Sequence, residues 1–251
     1  MLDLHSHILP GLDDGARTLA DSRKLARTAL ADGVRAIAAT PHVRADYPTS
    51  VEAMEASVAT VRRDFEEHGI ELEVLHGGEI ALDRFGDLSH EELERFTIGQ
   101  TGRYLLVEFP YSGWPLDLEQ RLFELRVAGL DSLLAHPERN REVQADPARL
   151  EPLVAAGTLV QLTAASLDGR IGRSSQAAAE SLLSRGLAHV IASDAHTPEV
   201  REVGIAAAAA SLKDKGLARW LVEDAPAAIA AGEPIPARPA HPARRKRRFG
   251  F

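Results

Sequence analysis

The feature that most limits the fold of this chain is a rhythm. Short apolar runs alternate with amphipathic stretches, several of which close on glycine. The runs fall at residues 2–5, 35–39, 72–75, 104–107, 132–135, 159–162 and 189–192. Several are near-continuous in Leu, Ile, Val and Ala, the pattern of parallel strands covered on both faces. The stretches between them include 18–32, 51–68, 116–128, 147–156 and 174–185, the last four followed by Gly69, Gly129, Gly157 and Gly186 as helix caps. Such a helix–glycine–strand repeat predicts βα units on a parallel sheet. Seven units fit a closed or nearly closed α/β barrel, with a doubly wound sheet as the alternative. Beyond Asp194 the chain turns Ala-rich and helical, at 200–212, 218–222 and 225–231.

A chain of 251 residues, 45% hydrophobic, suffices for one sizeable core. No Gly/Ser- or Pro-rich break precedes the far C-terminus, so a single domain over 1–236 is expected. The remaining 237–251 is Pro- and Arg-rich and reads as a disordered basic tail. A solvated tail is the first reading of it, contact with acidic lipid or nucleic acid the second. The formal net charge of −8 argues against nucleic acid as a general partner. The chain has no cysteine, which excludes disulfides, a thiolate nucleophile and zinc–thiolate sites, and fits a cytoplasmic protein. The opening MLDLHSHILPGLDDG lacks the basic-then-apolar order of a signal peptide, and no apolar run is long enough to span a bilayer.

The chemistry lies at the strand ends. His5 and His7 close the first run, His42 follows the second, and Glu79 follows the third through Gly77 and Gly78. Glu108 and His136 end the fourth and fifth, Asp194 and His196 the seventh; the sixth ends in Thr163 with no evident ligand. In α/β barrels that end carries the active site. A buried charge must be paired or metal-bound, so six strand ends agreeing outweigh the bland reading of each residue as structural. His5 and His7 share a strand face, as do Asp194 and His196 if the strand extends that far. Asp3 shares the face of His5, either to orient a ligand imidazole or as an edge residue. With Asp14, the set holds four carboxylates and five imidazoles. Three divalent ions would leave such a site positive and suited to a phosphate dianion. Nitrogen and oxygen donors suit Mn, Fe or Zn without choosing among them. Arg139 and Arg201 lie near ligand positions and suit phosphate, although surface arginines are commoner. His68, His90, His189 and His241 read as structural; His76 reads as structural or as a ligand's partner. The FPYSGWP loop after Glu108 is either a pocket wall or ordinary packing. P-loop, dinucleotide and nucleophile-elbow motifs are absent.

The segments LDLHSHILPGLDDGA, ATPHV, HGGEI, LLVEFP, LLAHPERN and VIASDAHT resemble the polymerase-and-histidinol-phosphatase (PHP) family. Within it they are similar to the bacterial tyrosine phosphatases of capsule and exopolysaccharide operons, over about residues 1–232. Asp14 and Glu108 stand where many other family members carry histidines, a mark of that branch. The resemblance implies a distorted (β/α)7 barrel with three divalent metals, usually manganese. His5, His7, Glu79 and Asp194 would hold one; Glu79, Glu108 and His136 a second; Asp14, His42 and His196 the third. Arg139 and Arg201 match phosphate-binding arginines. The implied function is hydrolysis of phosphotyrosine on a protein, the Tyr-rich tail of a bacterial tyrosine kinase, by in-line attack of water that the cations acidify. A tyrosinate leaves more easily than an alkoxide, so no strong general acid is required. A small-molecule phosphatase such as one for histidinol phosphate, and a regulatory binding module without turnover, are the alternatives.

Overall fold

The computed structural model describes residues 1–196 and 203–240. Ten strands run in chain order: β1 (Leu2–Ser6), β2 (Ala36–Ala39), β3 (His42–Arg44), β4 (Tyr47–Pro48), β5 (Glu73–Leu75), β6 (Glu79–Ala81), β7 (Tyr104–Glu108), β8 (Asp131–Ala135), β9 (Leu159–Thr163) and β10 (Val190–Ala192). All seven expected runs are strands. They pair in parallel and form two sheets, β1-β2-β5 and β10-β9-β8-β7-β6-β3-β4, in which only β3–β4 is antiparallel. No single closed sheet forms among the described residues. The two sheets meet at an isolated parallel bridge between Ser6 and Ala195. There His7 N donates to Ala195 O at 2.8 Å and Asp194 N donates to His5 O at 2.9 Å.

Two strands are each split in the middle, a feature not visible in the apolar pattern. Between β2 and β3 lie Thr40 and Pro41, and proline cannot donate to a ladder. Between β5 and β6 lie Gly77 and Gly78; a Cβ on Gly78 would stand 2.6 Å from the Phe96 ring. The backbone there therefore approaches a buried aromatic more closely than any side chain permits. The first halves, β2 and β5, pair with each other in the sheet that β1 edges, and the second halves, β3 and β6, pair with each other and carry His42 and Glu79 into the sheet that continues through β7.

Helices cover the strands. Leu19–Ala31 is capped by Thr18 Oγ1, which accepts from Asp21 N, and buries Ser22, Leu25, Ala26 and Ala29. Val51–Glu67 is capped by Ser50 and buries Met54, Val58, Val61 and Phe65. Arg173–Arg185 ends on Gly186 in the left-handed conformation. The expected 147–156 helix is a 3-10 turn, Pro147–Leu150, followed by Glu151–Ala155 with Pro152 in its first turn. Near the C-terminus Lys215–Arg219, a π turn at Trp220–Asp224 and Ala225–Ala230 replace the separate helices expected at 218–222 and 225–231. Ile205–Ser211 is the described part of the helix expected at 200–212. No described helix is long and apolar enough to cross a membrane.

The chain stays packed past residue 236. Trp220 Nε1 donates to Pro236 O at 3.0 Å, and the Arg238 guanidinium donates to Ala188 O at 2.5 Å and Leu183 O at 3.1 Å. This strap crosses the end of β10 where the strand begins. The metal-type residues lie at the other ends of the strands.

Candidate metal centre

Nine side chains named from the sequence come together. Four overlapping groups have donor atoms within 4.8 Å of one another: His7, Asp14, His42 and His196; His5, Glu79 and His136; His5, His7 and Asp194; and His42, Glu79 and Glu108. All nine expected ligands belong to at least one group. Glu79 is the hub and is fully buried. Its Oε2 lies 3.4 Å from His5 Nε2, 3.6 Å from His7 Nε2 and 2.9 Å from His42 Nδ1; its Oε1 lies 3.0 Å from His136 Nε2. His42 joins two groups, with Nδ1 toward Glu79 and Nε2 3.5 Å from Asp14. Asp14 also lies 3.3 Å from His196 Nε2.

Outer partners fix the imidazole tautomers. Gln161 Oε1 accepts from His136 N at 3.2 Å, so it faces the site as an acceptor. The His5 Nδ1–H donates to the same oxygen at 3.0 Å, which leaves Nε2 as a bare donor turned toward Glu79 and Asp194. His7 Nδ1 is paired with Asp13 Oδ2 at 2.7 Å, and Asp13 also accepts from His42 N and Gly15 N. Thus His7 Nε2 faces inward as well. His196 Nδ1–H donates to Asp194 O at 3.0 Å, freeing its Nε2 for the Asp14 side.

The electrostatics are those of a crowded anionic and imidazole cluster. Burial alone would push the His7 ring down, but Asp13, Asp194 and Glu79 raise it to about 10. His136, which burial dominates, is pushed down to about 4. Burial would raise Glu79, but His5, His136 and His42 hold it well below the usual carboxylate range. Burial and the charge of Glu79 raise Glu108. His42 Nδ1 and Glu79 Oε2 face each other without hydrogen-bond geometry, and His136 Nδ1 has no partner among the described residues. An unsatisfied buried polar atom costs about 1–3 kcal/mol, so such a set is stable when a cation sits among the donors. The donors present fit a polynuclear site for divalent ions with nitrogen and oxygen ligands.

The backbone carries strain at the same place. Only Gln100, His136 and Asp194 among the described non-glycine residues have positive φ, at 53°, 38° and 52°. Two of the three are in the cluster, where strained residues concentrate when the surroundings over-determine them.

Arg139 is also at the site: its Nη1 donates to Asp194 Oδ2 at 2.7 Å, and its Cζ lies 4.6 Å from the centre of the Tyr111 ring. Arg201 lies outside the described residues. Asp3 does not touch an imidazole. Its carboxylate accepts from Ser193 N at 2.9 Å, Ser193 Oγ at 2.5 Å and His5 N at 3.3 Å, which bolts β1 to the end of β10. His76 joins none of the groups. His90 pairs with Glu94 on the surface, His68 Nδ1 meets Asp64 O, His189 Nδ1 accepts from Val160 N, and His241 is outside the described residues.

Several contributors had no distinct signal in the sequence. Asp13 stands beside Asp14, and either carboxylate could have turned inward. Gln161, in mid-strand, serves the run that had no evident ligand. Arg44 Nη1 donates to Glu108 Oε1 at 2.7 Å. Glu138, pushed up to about 7 by burial, accepts from Thr163 N and Ser166 Oγ and ties the His136 loop to the end of β9. Beside Glu108 a cavity of about 370 Å³ opens, lined by Leu82, Asp83, Pro110, Pro115, Asp117 and Arg121.

Known proteins share this arrangement of chain. The family model for capsular polysaccharide synthesis, CpsB/CapC, matches residues 1–223. The tyrosine-protein phosphatase YwqE of Bacillus subtilis (strain 168) is 35% identical over 257 residues, covering 100% of both chains. The tyrosine-protein phosphatase CpsB of Streptococcus pneumoniae is 28% identical over 209 residues, covering 80% of this chain and 85% of that one. A crystal structure from work on YwqE and CpsB, there called metal-dependent tyrosine phosphatases, superposes with a TM-score of 0.85 at 32% identity, over 96% of this chain and 100% of that one. A β-aspartyl dipeptidase from Fervidobacterium islandicum AW-1, with a TM-score of 0.53 at 16% identity over 91% of this chain and 72% of that one, shares the fold alone. With a family model spanning most of its length and relatives aligned end to end, the chain belongs to the CpsB/CapC family of capsular polysaccharide synthesis.

Proposed function

We propose that the chain is a metal-dependent protein-tyrosine phosphatase acting in the cytoplasm on a phosphotyrosine protein of capsule or exopolysaccharide synthesis, the tail of a bacterial tyrosine kinase. The observation that carries this reading is the convergence of nine side chains with nitrogen and oxygen donors into four overlapping groups, two of them built on Glu79, in a chain with no cysteine to serve as a thiolate nucleophile. In this reading residues 1–236, with the packed Arg238, are one phosphoesterase unit, and the basic segment after them is a tail. The two sheets are arcs of one distorted (β/α)7 barrel, a view supported by the Ser6–Ala195 bridge.

Three divalent ions, manganese by preference, would be held by His5, His7, Asp14, His42, Glu79, Glu108, His136, Asp194 and His196. Bound cations of this kind neutralise phosphoryl charge and acidify water enough to supply a nucleophile near neutral pH. The chain's own groups do the rest. Glu79 presents both carboxylate oxygens to neighbouring donor groups. Gln161 and Asp13 hold His5 and His7 with Nε2 inward. Arg139 stands at the mouth with its guanidinium on Asp194, where a phosphoryl oxygen would find charge-assisted donors; Arg201 takes the same role by its place in the sequence. The tyrosinate leaving group, with an ordinary pKa of about 10, departs without a strong acid.

Phosphate release from a phosphotyrosine peptide and from histidinol phosphate, each with manganese and with chelator, tests the proposal. The expected result is chelator-sensitive turnover that prefers the peptide. Preference for histidinol phosphate would move the chain to a metabolite substrate. Absence of turnover on either ester, with metal demonstrably bound, would overturn the enzymatic reading.

A further inference from the structure

Two tyrosines at the metal centre are unaccounted for by the donor set. Tyr47, on β4, stacks on the His42 ring with centroids 5.8 Å apart and planes 17° apart. Tyr111, just after β7, stacks on the His136 ring at 5.7 Å and 21°. Each also carries an arginine: Arg44 Cζ lies 5.2 Å from the Tyr47 centroid and Arg139 Cζ lies 4.6 Å from that of Tyr111. The two imidazoles they cover sit on opposite oxygens of Glu79, His42 on β3 and His136 just past β8, strands separated by β6 and β7. The cluster is thus flanked on two sides by the same unit, an aromatic ring roughly parallel to a ligand imidazole with a guanidinium close by.

Neither ring is spent on the core. Tyr111 is 45% exposed, one of four large exposed hydrophobic side chains among the described residues, and it stands beside a nearly buried metal-type donor. Tyr47 is partly exposed on the short antiparallel strand at the sheet edge. Beside Glu108, at the ends of β6 and β7, the cavity leaves room next to the donor set for a group reaching in from solvent. The donors themselves are sunk: His42, His136 and Glu79 are almost inaccessible. A phosphoryl group reaching them must be carried on a side chain long enough to pass the rim, and that side chain then passes beside the two aromatic rings. Offset ring stacking at such a rim rewards a flat aryl group and gives little to a short aliphatic one.

We infer that Tyr47 and Tyr111 are specificity-determining residues that seat the phenyl ring of an aryl phosphoester, selecting phosphotyrosine over alkyl phosphates. The inference rests on the phosphatase reading of the site. It adds what the metal ligands alone do not supply, since divalent ions and arginines bind the phosphoryl group of any monoester alike.

The test compares kcat/KM for a phosphotyrosine peptide and for the same peptide with phosphoserine, in the full-length, manganese-loaded chain. The variants are Tyr111→Leu, Tyr47→Leu, and the rescuing Tyr111→Phe and Tyr47→Phe. Expected is a fall for the phosphotyrosine peptide at least tenfold greater than for the phosphoserine peptide, expressed chiefly in KM, with the phenylalanine variants restoring the wild-type ratio. An equal fall on both peptides would overturn the inference and make the tyrosines supports for His42, His136 and the arginines. An unchanged ratio in both leucine variants would overturn it too. If a leucine variant fails to fold, the phenylalanine variant and the other tyrosine still decide the ratio. Failure of the parent reading looks different: the wild-type chain would then show no chelator-sensitive turnover of either peptide, and the inference would fall with it.

Discussion

His5 and His7 are each held at the outer ring nitrogen by a side chain outside the donor set, Gln161 and Asp13, and the strength of the site depends on those holders. Asp13 is the clearest: its Oδ2 meets His7 Nδ1 at 2.7 Å and His42 N at 3.0 Å. Asp13→Asn keeps the shape and removes the charge that fixes the His7 tautomer. Metal affinity is expected to fall roughly 10- to 100-fold, with an unchanged circular dichroism spectrum, as measured by manganese titration. A wild-type affinity would show that Asp13 only shapes the loop. The ligands themselves were legible because each follows a strand that apolar patterning locates, and a charged residue in that place is rarely accidental. Their holders were not. Gln161 reads as one polar residue in an apolar strand, and Arg44 as a surface cation. Which side chain lies behind an imidazole is decided by neighbours distant in sequence, such as the 156 residues that separate His5 from Gln161.

At the scale of elements, the seam between β1 and β10 rests on Ser193. Its Oγ donates to Asp3 Oδ2 and accepts from Ala195 N at 3.0 Å. Ser193→Ala leaves a fully buried carboxylate short of a donor. A loss of about 1–3 kcal/mol in urea-denaturation stability is expected, and a change below a few tenths would show that the seam carries little. A second element-level expectation concerns acid. His189 opens β10, and burial, with Arg238 nearby, pushes its ring from 6.5 down to about 4. Its Nδ1 must stay unprotonated to accept from Val160 N. A base with a lowered folded-state pKa is protonated first in the unfolded chain. Its contribution is therefore complete above pH 6.5 and is lost as pH falls toward 4, by about 2 kcal/mol for a partly exposed ring. His189→Asn, whose Oδ1 can accept the same bond without titrating, should flatten stability between those limits; an unchanged slope would place the acid sensitivity elsewhere. The strand positions were legible in the sequence to within a residue or two. The splits at Pro41 and Gly77–Gly78 were not, because a split strand keeps its apolar pattern on both sides. The π turn at Trp220–Asp224 was missed for a related reason: Ala-rich sequence is helical in either geometry.

For the whole molecule, the cluster sets a balance between folded-state repulsion and cation binding. With free manganese a hundredfold above its dissociation constant, one bound ion adds about 2.7 kcal/mol to the folded state. At roughly 2–4 °C per kcal/mol for a chain of this size, the thermal midpoint should rise by about 5–10 °C with manganese over chelator. An identical midpoint in both would mean that the donors do not hold metal in the folded state. The overall architecture was legible at the level of a parallel α/β fold, because helix, glycine and strand recur with even spacing. Whether the ring of strands closes was not, since that depends on pairing between the two ends of the chain, of which neither segment carries a local trace.

That pairing also has a consequence in time. Asp3 and Ser193 are separated by 190 residues, and His5 and His7 lie almost as far from Asp194 along the chain. Synthesis from the N-terminus delivers the two histidines long before the carboxylate that completes their group. A chain interrupted before Asp194 therefore holds half a site, and the whole one assembles only after that segment is made. Translation past His196 is thus a precondition of the chemistry, and a copy cut short of it lacks the full donor set.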